Sequence, residues 1–320
     1  MEKEAKKRNY AVNMLVRLVK EKPLGAAGAV VLLVLLLVGV FANVLAPYGY
    51  NDMDLSARLS PSSPAHILGT DNLGRDLLSR IIYGARISMI VGFSVALIGT
   101  ALAAVLGIIS GYFGGAVDFV IQRFVDGMMC LPSLIVVLTV VAITGPGLLP
   151  IILVLGVEGG VGGRVRVVRG AVIAIKRNLY VEASRSIGAT SLRTMAEHIL
   201  PNVMAPVIVM FTTSLGSAII TEATLSFIGL GIPPPEPSWG GMLSLSGRSF
   251  MLIAPWMAFW PGLCLCVAVY GVNVLGDALR DLLDPRLEGG SGSYKIKKMI
   301  GGGFGGGIFG RRRRQKPENT

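Results

Sequence analysis

With 320 residues, a net charge of +11, 52% hydrophobic residues and only 15% charged ones, the chain is poor in the groups that keep a surface in water. Soluble domains carry roughly 25% charged residues, so the pair of water-soluble domains that length alone suggests is excluded. The positive balance reads as the Lys/Arg excess of the cytoplasmic segments of a membrane protein, not as a nucleic-acid surface.

The charges are clumped. None lies between Lys22 and Asp52, Arg86 and Asp118, Asp126 and Glu158, or Arg248 and Asp277, and 198–221 is free of Asp, Glu, Lys and Arg. Each gap can hold the ~20 apolar residues of a spanning helix. Residues 1–23 form a basic tail whose Lys and Arg place it in the cytoplasm, and 24–46 is the first span. That apolar run exceeds the 7–15 residues of a signal-peptide core, so it reads as a retained anchor. Residues 47–87 form an extracytoplasmic loop in which Pro47, Pro61 and Pro64 argue against a continuous helix.

Further along, 88–112 reads as a helix, closed by a glycine and aromatic turn at Gly111–Gly115, and 118–143 as the next. Thr144-Gly145-Pro146-Gly147 breaks the apolar run with turn chemistry, and 148–168 follows. The stretch 164–197 carries seven Lys and Arg against Glu182 and Glu197. It follows the fourth crossing, so charge and crossing count both return it to the starting side. Helices over 202–228 and 255–279 complete about six spans. Gly229–Gly241 lies outside, with Trp239, Trp256 and Trp260 as interfacial aromatics. Residues 287–320 are Gly-rich and end near Arg311–Arg314, a disordered cytoplasmic tail or one adhering to anionic lipid.

No catalytic constellation appears. His66 and His198 fall on opposite sides of the membrane by the crossing count. No Gly-x-x-x-x-Gly-Lys-Ser/Thr loop is present, so nucleotide is not bound by that route and any ATPase is another subunit. Cys130, Cys264 and Cys266 form no metal-spacing set and read as buried small hydrophobes. Three acids lie in or near helices. Glu158 and Glu222 are candidates for a translocation path, because intramembrane charges face a cavity or a partner. Asp126 reads as a member of a buried pair or as a residue near the interface.

The basic loop reads Tyr180-Val-Glu182-Ala183-Ser184-Arg185-Ser186-Ile187-Gly188-Ala189, then Ile199-Leu200-Pro201-Asn202. One short helix, a bend allowed by Gly188 and a second helix ending before Pro201 would make a hairpin able to dock in a partner's groove. By physics alone it is equally an ordinary amphipathic connector. The segment resembles the EAA loop of binding-protein-dependent ABC importer permeases, with Glu182, Ala183, Gly188, Leu200 and Pro201 matching and Ser184 standing where that pattern has Ala. Leu68–Arg80 with Tyr83–Arg86, Glu222–Gly231 with Pro237–Gly240, and Asn273–Arg286 resemble the C-type permease of dipeptide, oligopeptide and nickel importers, in the same order.

The resemblance covers roughly residues 10–286. It implies an all-α integral membrane protein with a type I (MetI-like) core over 88–286, an EAA loop at 170–201, and one extra N-terminal helix. It also implies partners: a second, different permease, two ABC ATPases that use ATP and Mg, an extracytoplasmic solute-binding protein, and the lipid of the inner membrane. This chain would bind no cofactor, no metal and no nucleic acid, and would not be an enzyme. Glu182 and Gly188 would couple it to the ATPase. Peptides are the expected solute, with nickel or another small solute as the alternative. A membrane anchor without transport is the competing class, disfavoured because an anchor needs no ATPase socket. The extension past Arg286 departs from the family pattern.

Overall fold

The computed structural model describes residues 10–244 and 249–283, and the expected tail at 287–320 lies outside them. Among the described residues the architecture is helical, with a single isolated β-bridge between Thr70 and Asp76. In chain order the helices are α1 Tyr10–Glu21, α2 Pro23–Val40, α3 Ala42–Leu45, α4 Leu77–Phe113, α5 Gly115–Met129, α6 Ser133–Thr144, α7 Leu148–Gly160, α8 Gly163–Lys176, α9 Leu179–Ser186, α10 Ser191–Thr194, α11 Leu200–Ile228, α12 Trp239–Leu243 and α13 Trp256–Leu283. Four continuous helical stretches are long and apolar enough to cross a membrane: 23–40, 77–113, 191–228 and 256–283. Two bent pairs, α5 with α6 and α7 with α8, raise the number of spans to six if each pair is one crossing. The all-α membrane architecture expected from composition is therefore present.

Several boundaries differ from expectation, each for a local reason. The second span begins at Leu77, not at 88, so the preceding loop is shorter than 47–87. Asp76 caps it by accepting from the Ser79 backbone N–H at 2.8 Å and the Ser79 hydroxyl at 2.7 Å. The charges that suggested a loop are satisfied inside the protein: Arg80 donates to Tyr50 O at 2.9 Å and Arg86 to Gly39 O at 2.8 Å. At its other end the helix runs on through Phe113, confining the turn to Gly114 and Gly115, both at positive φ. In the loop itself, hydrogen bonds from Ser56 hold the Asp54 carboxyl below the usual carboxylate range.

The span expected over 118–143 is bent by 85° between Met129 and Ser133. Pro132 has no N–H to continue the hydrogen-bond ladder at that point. The next span bends by 44° at Val161–Gly162 and continues to Lys176, eight residues beyond expectation. Its arginines have partners there: Arg169 Nε donates to Asp118 at 2.6 Å, and Arg166 pairs with Asp126 in an ion pair that is exposed and not buried. The hairpin's second helix does not end before Pro201. A π turn over Met195–Ile199 joins α10 to α11, and Pro201 falls in the first turn of α11. A π turn already disturbs the regular ladder, so the missing proline N–H is tolerated.

Small residues set the helix contacts, as is usual between spanning helices. Gly107 and Gly111 of α4 meet Val168 and Val172 of α8 so closely that a Cβ built on either would lie 2.6 or 2.8 Å from a valine Cβ. Trp239, expected at the interface, is buried instead: its Nε1–H donates to Ile81 O at 3.2 Å and its ring covers Gly84. Nor are the cysteines buried: Cys130 and Cys266 are exposed and Cys264 is half-buried.

Candidate functional site

The hairpin at the turn from α9 to α10 is built from local capping rules. Helix α9 ends in a Schellman motif. The Ala189 N–H donates to Ser184 O at 3.1 Å and the Gly188 N–H to Arg185 O at 3.0 Å, with Gly188 at φ +89°. A side chain disfavours that φ, although a Cβ there would meet nothing within 4 Å. Thr190 then caps α10 by accepting from the Arg193 N–H at 3.3 Å.

Glu182, Ala183 and Gly188 are exposed on this hairpin, and Leu200 and Pro201 are exposed at its base. Among the described residues the Glu182 carboxylate has no hydrogen-bond partner, so it is free to meet another molecule. Ser184, the departure from the EAA pattern, is half-buried and its hydroxyl lies 3.1 Å from His198 Nε2, tying α9 to the π turn. Inward-facing Val181, Ile199 and Val203 are fully buried with Ile108, Tyr112, Val168 and Val172. The hairpin is thereby rooted in α4, α8 and α11.

Sequence reasoning missed three features here. Ile187 and Leu192 are 86% and 77% exposed, apolar side chains at the tip with nothing over them. Their positions beside Gly188 and Thr190 were the available signal. The role of His198 showed no sequence signal, because its partner lies 14 residues earlier.

Glu158 and Glu222 are not brought together. Glu158 lines a half-enclosed cavity of about 270 Å³, with Ser133 of α6, Arg164 of α8, and Ser217, Thr221 and Thr224 of α11. Glu222 is fully buried, and its Oε1 accepts from the Ser226 hydroxyl at 2.6 Å. The same hydroxyl accepts from the Ile232 N–H at 3.2 Å, so Glu222 braces the turn after α11.

Comparison with known proteins agrees with this geometry. The family model described as the binding-protein-dependent transport system inner membrane component matches residues 103–289, and that of the N-terminal TM domain of oligopeptide transport permease C matches residues 14–62. The dipeptide transport system permease protein DppC of Haemophilus influenzae is 41% identical over 267 residues, 82% of this chain and 90% of that one. The oligopeptide transport system permease protein OppC of Bacillus subtilis is 37% identical, covering 84% and 88%. The glutathione transport system permease protein GsiD of Pectobacterium atrosepticum is 40% identical, covering 82% and 87%. The chain, a multi-pass membrane protein with an exposed hairpin between α9 and α11, belongs to the family of binding-protein-dependent transport system inner membrane components.

Proposed function

We propose that this chain is one permease half of an ATP-driven importer of peptides. The carrying observation is the hairpin: an exposed acid and two bare apolar side chains at its tip, joined without a flexible link to the buried cluster of α4, α8 and α11. The relatives named above, permeases of dipeptide, oligopeptide and glutathione systems, support peptides as the solute.

In this reading the hairpin seats in a cleft of an ABC ATPase, with Ile187 and Leu192 covered and Glu182 meeting donors on its surface. Two such ATPases hydrolyse ATP with Mg, and this chain holds neither. A second, different permease completes the pore, a binding protein delivers the peptide from outside, and both termini lie in the cytoplasm. Closure of the ATPase pair moves the two hairpins, and the buried root carries that motion into the spans. The pore then alternates between inward-open and outward-open states. Gly188 keeps the hairpin bent, and Ser184 with His198 holds α9 against the π turn.

The test is purification of the tagged chain from its native membrane in mild detergent, beside Gly188→Arg. Recovery of an ABC ATPase and a second permease, with ATP-driven peptide uptake lost in the variant, is the expected result. A chain that purifies alone under several mild conditions, or a variant with unchanged uptake, overturns the reading.

A further inference from the structure

The wall that α11 gives to the cavity carries hydroxyls at Ser214, Ser217, Thr221 and Thr224, spaced three and four apart and so on one face. Each donates its proton to the carbonyl four residues earlier: Ser217 to Thr213 O at 2.9 Å, Thr221 to Ser217 O at 2.9 Å, Thr224 to Ile220 O at 2.8 Å, and Ser214 likewise to Met210 O. A carbonyl can only accept and a hydroxyl has one proton, so the direction is fixed. What remains for the cavity is a row of lone pairs.

Glu158 lines the same space. Among the described residues its carboxylate accepts no hydrogen bond and has no ion-pair partner. Arg164, its electrostatic neighbour, directs Nη1 to Gly159 O at 2.9 Å. A carboxylate among spanning helices is costly unless it meets a donor or a positive group. Glu158 and the α11 wall thus present acceptors, and Arg164, which keeps N–H groups beyond the one given to Gly159 O, is the charged donor lining the same space.

We propose that this cavity is a transient site for the cationic, hydrogen-bond-donating part of a passing peptide. An ammonium or basic side chain sits against Glu158, and amide N–H groups sit against Ser217, Thr221 and Thr224. The inference rests on the peptide-importer reading and deepens it, because it gives these spans a charge preference separate from that of the binding protein.

The experiment uses the complete importer in liposomes with its binding protein and ATP. Uptake is measured for trialanine and for tripeptides of the same length carrying one Lys or one Glu. The readout is the ratio between peptides within each variant, in which protein yield and the shared binding protein cancel. Glu158→Gln lowers the Lys-to-trialanine ratio about tenfold, the scale of one hydrogen bond to a charged group. It leaves the Glu-to-trialanine ratio level or higher, while Glu158→Asp retains most of the wild-type preference. Thr221→Val removes an acceptor without touching a charge and lowers the Lys-to-trialanine ratio a few-fold; it decides the matter if Glu158→Gln does not assemble. Active variants whose ratios equal those of the wild type overturn the inference and leave the importer reading intact. A wild type that takes up none of the three peptides overturns the importer reading itself, and the inference with it.

Discussion

Two motif-bearing regions of this chain look alike in sequence and opposite in space. The hairpin from Glu182 to Gly188 puts Glu182, Ala183 and Gly188 in the open, whereas the stretch from Glu222 to Gly240 hides Glu222, Ser226 and the run Pro237–Gly240. Glu222 and Trp239 are both at or below 1% exposure, and a Cβ on Gly240 would lie 2.3 Å from Ala223 O. A conspicuous residue pattern thus has two physical origins here, a surface awaiting a partner and a joint where backbones touch. Burial tells them apart where sequence does not.

The sharpest break of that contrast is Trp239→Ala. It removes a fully packed ring and a hydrogen-bond donor, and a large core aromatic cut to Ala costs about 3–5 kcal/mol. Thermal unfolding in detergent should show a large fall, and a near-native midpoint would show that the buried region is not structural. Next comes the pair Ile187→Ser with Leu192→Ser. Burying one such side chain is worth about 1.5–3 kcal/mol, so the doubly substituted chain should fold normally yet lose its ATPase on a sizing column. Equal retention would show that the tip is not the contact.

Gly188→Ala is smaller, about 1–2 kcal/mol from the left-handed backbone alone, and Gly188→Asn should be milder still because Asn adopts that conformation more easily. Hydrogen exchange of the hairpin amides reads both, and the reverse order would mean that side-chain bulk matters more than φ. Smallest is Ser184→Ala, which removes one hydrogen bond to His198 and costs about 0.5–1.5 kcal/mol. The expected sign is faster exchange at the α9 amides with uptake retained. A loss of uptake as large as that of Gly188→Arg would move Ser184 into the coupling surface itself.

The fold class was legible because charge-free gaps of spanning length are a crude signal that survives local irregularity. The boundaries were less so. Arg80 and Arg86 look like loop residues, yet each gives its charge to a backbone carbonyl of the chain preceding α4. The bend between α5 and α6 carried a visible cue in Pro132, but the break at Val161–Gly162 and the run of α8 to Lys176 depended on where Asp118 and Asp126 sit in the folded chain. In the hairpin, Gly188 could be read as a bend because positive φ has a residue signature. The contact between Ser184 and His198 and the cavity shared by Glu158 and Thr221 could not, because each joins residues far apart in sequence or on different helices.

The union of α10, the π turn and α11 has a mechanical consequence. From Ser191 to Ile228 the helical stretch is 38 residues, running on through the π turn and past Pro201 and Pro206, about 57 Å at the usual rise. The cavity hydroxyls begin at Ser214, about 23 residues from the hairpin end, and Ser217 lies about 26 residues along, some 39 Å. A tilt of only about 5° at the hairpin end would carry Ser217 sideways by roughly 3 Å over that length, comparable to a hydrogen-bond length. The rod can therefore act as a lever whose stroke at Ser217 is comparable to the width of one hydrogen bond.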